Sequence, residues 1–248
     1  MTARPTPGTV TLVGGGPGDP DLLTVGGLRA LEEADVVVTD RLAPLDALAA
    51  CRADCEIIHA GKIPRGAFTP QEQINELLVT HAQAGKRVVR FKGGDNFVFG
   101  RGGEEWEACA AAGIAVNVIP GVSSAIAVPG VAGIPVTHRG LVQGFTVVSG
   151  HVAPDDERST VAWEQLGRSG LTLVILMGVH NLAAISAALL ASGRPAEQPA
   201  AIIANGTVAG EQVWRTTLGQ VAAVAESNDV QPPAITVIGD VAGFTPEG

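Results

Sequence analysis

The sequence contains no tyrosine, and aromatic residues make up only 4% of its 248 positions. A core with so few rings must be filled by aliphatic side chains, and 46% hydrophobic residues supply enough of them. That composition, with 17% charged residues, excludes a disordered chain. Cysteine is equally scarce. Cys51, Cys55 and Cys109 are odd in number and too few to staple a chain of this size, which excludes a disulfide scaffold and points to a reducing cytoplasm. Lysine is limited to Lys62, Lys86 and Lys92 against thirteen arginines, and basic residues total 16 against 25 acidic ones, a net charge of −9. This balance excludes a broad surface for nucleic acid or anionic membrane. No apolar run approaches the ~18 residues of a membrane span, and residues 1–8 lack the apolar stretch of a signal peptide and read as a disordered lead-in.

Glycine (32) and proline (16), by contrast, are plentiful, so many tight turns and close backbone approaches are expected. Short β-branched runs recur at 10–13, 36–39, 57–60, 88–91 and 116–119. Each is too short for a helix and nearly continuous in apolar residues, as in parallel strands covered on both faces. Helical patterns at 22–33, 45–50, 70–84 and 103–112 lie between them. The alternation predicts an α/β unit with a parallel sheet, ending near Pro120 and Gly121. The second half has fewer helices, at 182–191 and 218–225, and strands at 145–149, 172–177, 200–205, 211–217 and 234–238. The turn at Thr207-Val208-Ala209-Gly210 reads as a hairpin, so this sheet should be mixed. The expectation is a two-domain α/β protein, with an N-terminal domain over 1–120 and a C-terminal domain over 121–248. Residues 121–139, rich in Gly, Ala, Pro and Val, would bridge the two.

The loop Gly14-Gly15-Gly16-Pro17-Gly18-Asp19-Pro20 follows the first strand, where a dinucleotide fold places its phosphate turn. The motif does not fit. GxGxxG from Gly14 needs a third glycine at 19, where Asp19 would repel a diphosphate, and Pro17 and Pro20 lack N–H donors. Asp40, at the end of the second strand, does imitate a ribose-binding acid, so an NAD-dependent oxidoreductase stays as an alternative. A plain strand-to-helix turn explains the glycines but not Pro17-Gly18-Asp19.

Read with the rest of the chain, this loop belongs to a set. Asp40-Arg41-Leu42 and Gly61-Lys62 follow it, then Arg90-Phe91-Lys92-Gly93-Gly94-Asp95-Asn96-Phe97-Val98-Phe99-Gly100-Arg101-Gly102-Gly103-Glu104-Glu105 and Pro120-Gly121-Val122-Ser123-Ser124-Ala125. Gly133-Ile134-Pro135-Val136-Thr137-His138-Arg139, Ser149-Gly150-His151, Leu176-Met177-Gly178 and Asn205-Gly206-Thr207 complete it. In this order, from Val10 to Val241, the chain resembles the tetrapyrrole methylase family, and the block from Gly93 to Glu105 is its most specific part. The resemblance implies S-adenosylmethionine (SAM) as methyl donor, with S-adenosylhomocysteine as by-product. It implies uroporphyrinogen III as substrate, methylated at C2 and C7 to precorrin-2, with the donor in an interdomain cleft of a homodimer and no metal. Another precorrin, or a non-tetrapyrrole substrate, is the nearest alternative, and a non-catalytic ligand-binding protein is a third. Residues before Val10 leave no room for the dehydrogenase and chelatase module of bifunctional relatives, so the reaction should stop at precorrin-2.

Lys92-Gly93-Gly94-Asp95 should form a loop at the carboxyl end of a strand, where open α/β sheets bind ligands. Gly-Gly-Asp alone reads as a turn; its neighbours from Phe97 to Arg101 reverse that reading. By resemblance, Pro17, Gly93, Gly94, Asp95, Val98, Ser123, Ser124, Met177 and Gly206 fall on donor-contacting positions. Arg41, Arg101 and Arg139 suit the substrate's carboxylates, because guanidinium offers a planar pair of donors. Glu104 suits substrate contact, orientation of Arg101 or a helix N-terminus. Asp40 and Lys62 match positions proposed for acid/base work in bifunctional relatives, and they equally suit a structural ion pair. Arg101 is a third catalytic candidate, through electrostatic positioning, because it stays protonated. Cys51, Cys55 and His59 recur every fourth residue, but a strand beginning after Cys55 destroys that helical spacing, so no metal site is expected. His138 and His151 suit hydrogen bonding better than substrate contact. Asn96 stands where the family frequently has Pro, and Ser123-Ser124 where it more usually has Thr-Ala or Thr-Ser. The arginines that matter should converge on one positive cleft in an otherwise acidic protein.

Overall fold

Residues 8–60 and 69–245 are described by the computed structural model, so residues 1–7 of the lead-in and Lys62 lie outside the described residues, while the Gly8 amide is tied down by donating to the Ala82 carbonyl at 2.7 Å. The chain divides into two compact units, Met1–Ser124 and Ala125–Gly248.

The first unit is built on β1 (Thr9–Gly14), β2 (Val36–Thr39), β3 (Glu56–His59), β4 (Arg87–Lys92) and β5 (Ala115–Ile119). They pair in parallel in the order β3-β2-β4-β1-β5. Helices α1 (Val25–Glu33), α2 (Gln71–Gln83) and α3 (Gly102–Ala111) cover the faces. Successive strand residues point to opposite faces, and the core divides accordingly. Val36 and Val38 pack with Val10, Leu12, Ile74 and Leu78 from one side. Val37 packs with Val13, Leu31, Val89 and Phe91 on the other. Both faces are buried along β1, β2 and β4, which is why those runs read as continuously apolar, whereas the edge strands β3 and β5 are partly exposed and the expected cover on both faces does not extend to them. Two helical patterns resolve differently from expectation. Region 22–33 splits into a 3-10 turn, Pro20–Leu22, and α1, because the Thr24 side chain caps the Gly27 amide at 3.0 Å and starts a new helix. Region 45–50 is a 3-10 helix behind Pro44. Strand order reverses direction on either side of β1, so the carboxyl ends of β4, β1 and β5 bracket a topological switch point.

The second unit carries β6 (Phe145–Ser149), β7 (Thr172–Leu176), β8 (Pro199–Ala204), β9 (Gln212–Thr217) and β10 (Ala234–Ile238), in the order β6-β7-β10-β8-β9. Only the β6–β7 pair is parallel, so the sheet is mixed, and β8 and β9 form the expected hairpin. Four α-helices are found here: α4 (Ser124–Val131, opening on the last residue of the first unit), α5 (Trp163–Arg168), α6 (Leu182–Ala191) and α7 (Val221–Ser227). The expectation of few helices is thereby corrected. Helix α4 lies inside the segment read as a bridge, and its residues Ala125 and Val128 are buried with Ile134, Ile203 and Val237. Two arginines are spent on backbone. Buried Arg194 donates to the carbonyls of Leu166, Leu171 and Ile238 at 3.2, 2.8 and 3.3 Å. Arg215 donates to Ala242 and Phe244 at 2.6 and 3.0 Å. Among the described residues, no helix is long and apolar enough to cross a membrane.

Candidate functional site

At the switch point three loops meet backbone to backbone. The Gly15 amide donates to the Lys92 carbonyl at 2.7 Å, and Gly16 and Gly94 exchange hydrogen bonds of 3.1 and 2.6 Å. Gly16 and Gly94 both take left-handed φ, 85° and 68°. A Cβ on Gly121 would lie 2.5 Å from the Gly14 carbonyl carbon, and one on Gly14 would lie 2.7 Å from the Gly121 Cα. Only glycine permits that approach. Above Gly94 the situation is opposite: among the described residues a Cβ there would meet only the Ser124 amide nitrogen, at 4.0 Å, so the position opens onto free space between them.

Carboxylates tie these loops together. Asp95 Oδ1 accepts from the Phe97 amide at 2.9 Å and Oδ2 from the Gly121 amide at 3.2 Å. Asp40 Oδ1 accepts from Leu42 and Ala43 at 3.1 Å and from Gly93 at 3.4 Å, which joins the exit of β2 to that of β4. Asn96 is fully buried and donates through Nδ2 to the carbonyls of Leu12 (3.2 Å) and Ile119 (3.0 Å), so it links the ends of β1 and β5. Of the sequence-derived positions, Asp40, Gly93, Gly94 and Asp95 are thus brought into one corner, with Pro17 in the adjoining loop and Ser124 at the start of α4. The phosphate turn of the dinucleotide alternative is not formed. Its Gly16 amide is spent on Gly94, and Asp19 caps the short turn through the Asp21 amide at 2.9 Å.

Beneath the corner lies a charged group to which the sequence reading assigned no role. Lys92 and Glu105 are 2% and 0% exposed, and Arg90 is buried beside them. Lys92 Nζ donates to both Glu105 oxygens at 2.8 Å, Arg90 Nε to Oε1 at 2.8 Å, and Gln71 Nε2 to Oε1 at 3.3 Å. Arg90 also donates to the Val38 carbonyl at 3.2 Å, and its Nη2 stands 3.5 Å from Asp40 Oδ2. Burial, and then the neighbouring Arg90, push the Lys92 ammonium below the usual lysine range, against the pull of Glu105. The available signal was Arg90 and Lys92 flanking Phe91, directly after Val88 and Val89.

The outer positions are more exposed. Arg101 adopts φ 57° just before α3, and its Nε and Nη2 form a bidentate pair with Glu104 at 2.8 and 2.6 Å. The pair raises the Arg101 guanidinium and lowers the Glu104 carboxyl from their ordinary values. Glu104 therefore orients Arg101. Phe97 stacks on Trp106 with centroids 6.0 Å apart. Val98 and Arg41 are exposed. In the second unit Met177 (φ 56°, 49% exposed) and Gly206 follow β7 and β8, two strands running the same way on either side of antiparallel β10. A Cβ on Gly206 would lie 2.7 Å from Val128 Cγ2. Arg139 is exposed, and the preceding His138 ring packs 4.8 Å from Phe244, its Nδ1 buried without a hydrogen-bond partner among the described residues. Cys51 is half-buried against the core, and burial pushes its thiol up to about 11. Among the described residues, no cluster of three or more His, Cys, Asp or Glu is placed to hold a metal ion.

The family model of the tetrapyrrole (corrin/porphyrin) methylases matches residues 9–222. The chain is 48% identical over 235 residues to a uroporphyrinogen-III C-methyltransferase of Methanocaldococcus jannaschii, covering 94% of this chain and 96% of that one. It is 46% identical to a sirohaem synthase of Stutzerimonas stutzeri, of which it spans 50% while 94% of its own length is covered. Among solved structures it is similar to a uroporphyrin-III C-methyltransferase from Thermus thermophilus complexed with S-adenosylhomocysteine. That similarity has a TM-score of 0.81 and 38% identity, and covers 97% of this chain and 96% of the other.

Proposed function

This chain belongs to the tetrapyrrole (corrin/porphyrin) methylases, and we propose that its glycine corner at the ends of β1, β4 and β5 receives SAM. The chain is a SAM-dependent C-methyltransferase that converts uroporphyrinogen III to precorrin-2 by methylation at C2 and C7. One observation carries the placement of the donor. Gly14, Gly94 and Gly121 press three loops together without side chains, while the space above Gly94 stays open. Backbone carbonyls of such a corner, each with a second lone pair, suit the ammonium of the donor's amino-acid end and its sulfonium. When bound, SAM supplies an electrophilic methyl group, and transfer needs the pyrrole carbon, methyl and sulfur close to a line, so positioning contributes much of the rate.

Pro17, Gly93, Gly94, Asp95, Val98, Ser123 and Ser124 of the first unit, and Met177 and Gly206 of the second, are the donor-contacting residues. Arg41, Arg101 and Arg139 bind the substrate's carboxylates, Arg101 by exchanging Glu104 for one of them. Asp40 divides its work: Oδ1 holds the loop through three amides, and Oδ2, with the Arg90 guanidinium 3.5 Å away, is the oxygen that takes a proton after methylation. Lys62 is its acid/base partner. The scarce cysteines support a cytoplasmic protein and the acidic composition a partner that is neither nucleic acid nor membrane; the homodimer is what the family resemblance implies. Its product enters the sirohaem and cobalamin branch.

Anaerobic incubation with uroporphyrinogen III and SAM tests this function, and a doubly methylated mass is expected. Recovery of unmodified tetrapyrrole from protein that binds S-adenosylhomocysteine would overturn the substrate assignment. Calorimetric binding of NAD without binding of SAM would overturn the class.

A further inference from the structure

Lys92, Arg90 and Glu105 put two cations and a carboxylate into a buried layer where Arg90 is flanked by Leu12 and Val38 of the adjacent strands. Taking such charges out of water is costly, and well-packed apolar residues of similar volume are often as stabilising or more so. Stability alone therefore gives weak grounds for the group. Its location gives better ones. Lys92 ends β4 and immediately precedes Gly93, while Glu105 sits in the first turn of α3, four residues after Arg101. The Lys92–Glu105 pair thus closes the two ends of segment 93–101, which carries Gly93, Gly94, Asp95, Val98 and Arg101. From the same carboxylate, Arg90 extends to the Val38 carbonyl and toward Asp40, and Gln71 adds a bond from α2. One buried anion consequently fixes the exits of two strands and the start of one helix.

We infer that Glu105 is a positioning residue for the methyl-donor loop: by pairing with Lys92 and Arg90 it holds segment 93–101 in the shape that receives SAM. It touches neither substrate nor donor and acts through the backbone that follows Lys92. A loop held in its binding shape before the ligand arrives loses less conformational freedom on binding, so the contribution appears as affinity. Replacing Glu105 by glutamine keeps the size but leaves two buried cations short of their counter-ion. Lys92→Met is the milder change, because Arg90 still neutralises Glu105. This inference rests on the reading of Gly93–Asp95 as the donor site.

The test uses the full chain. S-adenosylhomocysteine is titrated calorimetrically into wild type, Glu105→Gln and Lys92→Met, each well below its thermal midpoint and shown by circular dichroism to be folded. KM for SAM and kcat are measured under the same conditions. At least a tenfold loss of affinity is expected in Glu105→Gln, with a matching rise in KM for SAM, and a smaller loss in Lys92→Met. A purely structural role lowers the midpoint and the active fraction but leaves the dissociation constant unchanged. Wild-type affinity in folded Glu105→Gln therefore overturns the inference. If that variant does not fold, wild-type affinity in Lys92→Met overturns it instead, and a loss there supports it. Failure of the wild type to bind S-adenosylhomocysteine overturns the donor-site reading itself, a separate result.

Discussion

Asp95 and Gly121 are 26 residues apart in sequence, yet the Asp95 carboxylate accepts the Gly121 amide at 3.2 Å and so binds the exit of β4 to that of β5. Its other oxygen holds the Phe97 amide. Asp95→Ala removes both charge-assisted bonds. A stability loss of about 1–3 kcal/mol in urea unfolding is expected, together with at least tenfold weaker binding of S-adenosylhomocysteine by calorimetry. A variant with unchanged donor affinity would show that the loop holds its shape without this carboxylate.

Gly94 and Gly121 should respond differently to alanine. At Gly121 the new methyl group has no room between Gly14 and Gly94, so thermal denaturation should show a large loss of stability. At Gly94 there is room, and only the left-handed backbone resists, at a cost of about 1–2 kcal/mol. Gly94→Ala should fold but bind the donor poorly, because its methyl group enters the open space.

Glu104 occupies the fork of Arg101 on the protein surface. Such exposed pairs contribute little to stability, so Glu104→Gln should leave the thermal midpoint unchanged. Freed from its partner, Arg101 should bind tetrapyrrole carboxylates more readily, and KM for uroporphyrinogen III should fall. Arg101→Leu should raise it. Equal KM values in wild type and both variants would remove Arg101 from substrate binding.

At the opposite end of the parallel sheet, Asp35 is held by Arg87 and Arg52 at 3.2 and 3.0 Å. Hydrogen bonds from Arg87, foremost, and from Arg52 push its carboxyl far below the ordinary value of 3.8. Its folded-state pKa lies below the unfolded one, so the stabilisation is fully present above 3.8 and is lost as pH falls toward the folded value. Asp35→Asn should be less stable than wild type at neutral pH, and the gap should narrow on acidification. Urea midpoints measured from pH 7 to pH 3 check this, and a constant gap would contradict it.

Strands were the most legible part of the sequence, since runs such as Val36-Val37-Val38 bury both faces and need no periodicity to stand out. Helix α4 was missed for the converse reason. Its Ser-Ala-Ile-Ala-Val-Pro-Gly-Val sequence has no polar stripe, so nothing in it repeats at a helical period. The glycine corner was legible as motifs, although the contact of Gly14 with Gly121 spans distant loops and has no local signal. Glu104 and Glu105 show the limit most sharply. They are adjacent and chemically identical, but about 100° of rotation on α3 sends one to solvent beside Arg101 and the other into the core beside Lys92.

The scarcity of lysine has a practical side. Lys92 is buried and ion-paired, which leaves Lys86 as the lysine open to amine chemistry among the described residues. Lys86 directly precedes β4 and Gly93 directly follows it, so the length of the strand, roughly 20 Å, separates them. Lys86 pairs with Glu56 at the start of β3, two strands from β4, so a fluorophore or surface linker coupled there would replace one exposed ion pair and leave the glycine corner facing away. Among the described residues, the distribution of one residue type thus places an amine handle at the far end of β4 from the glycine corner.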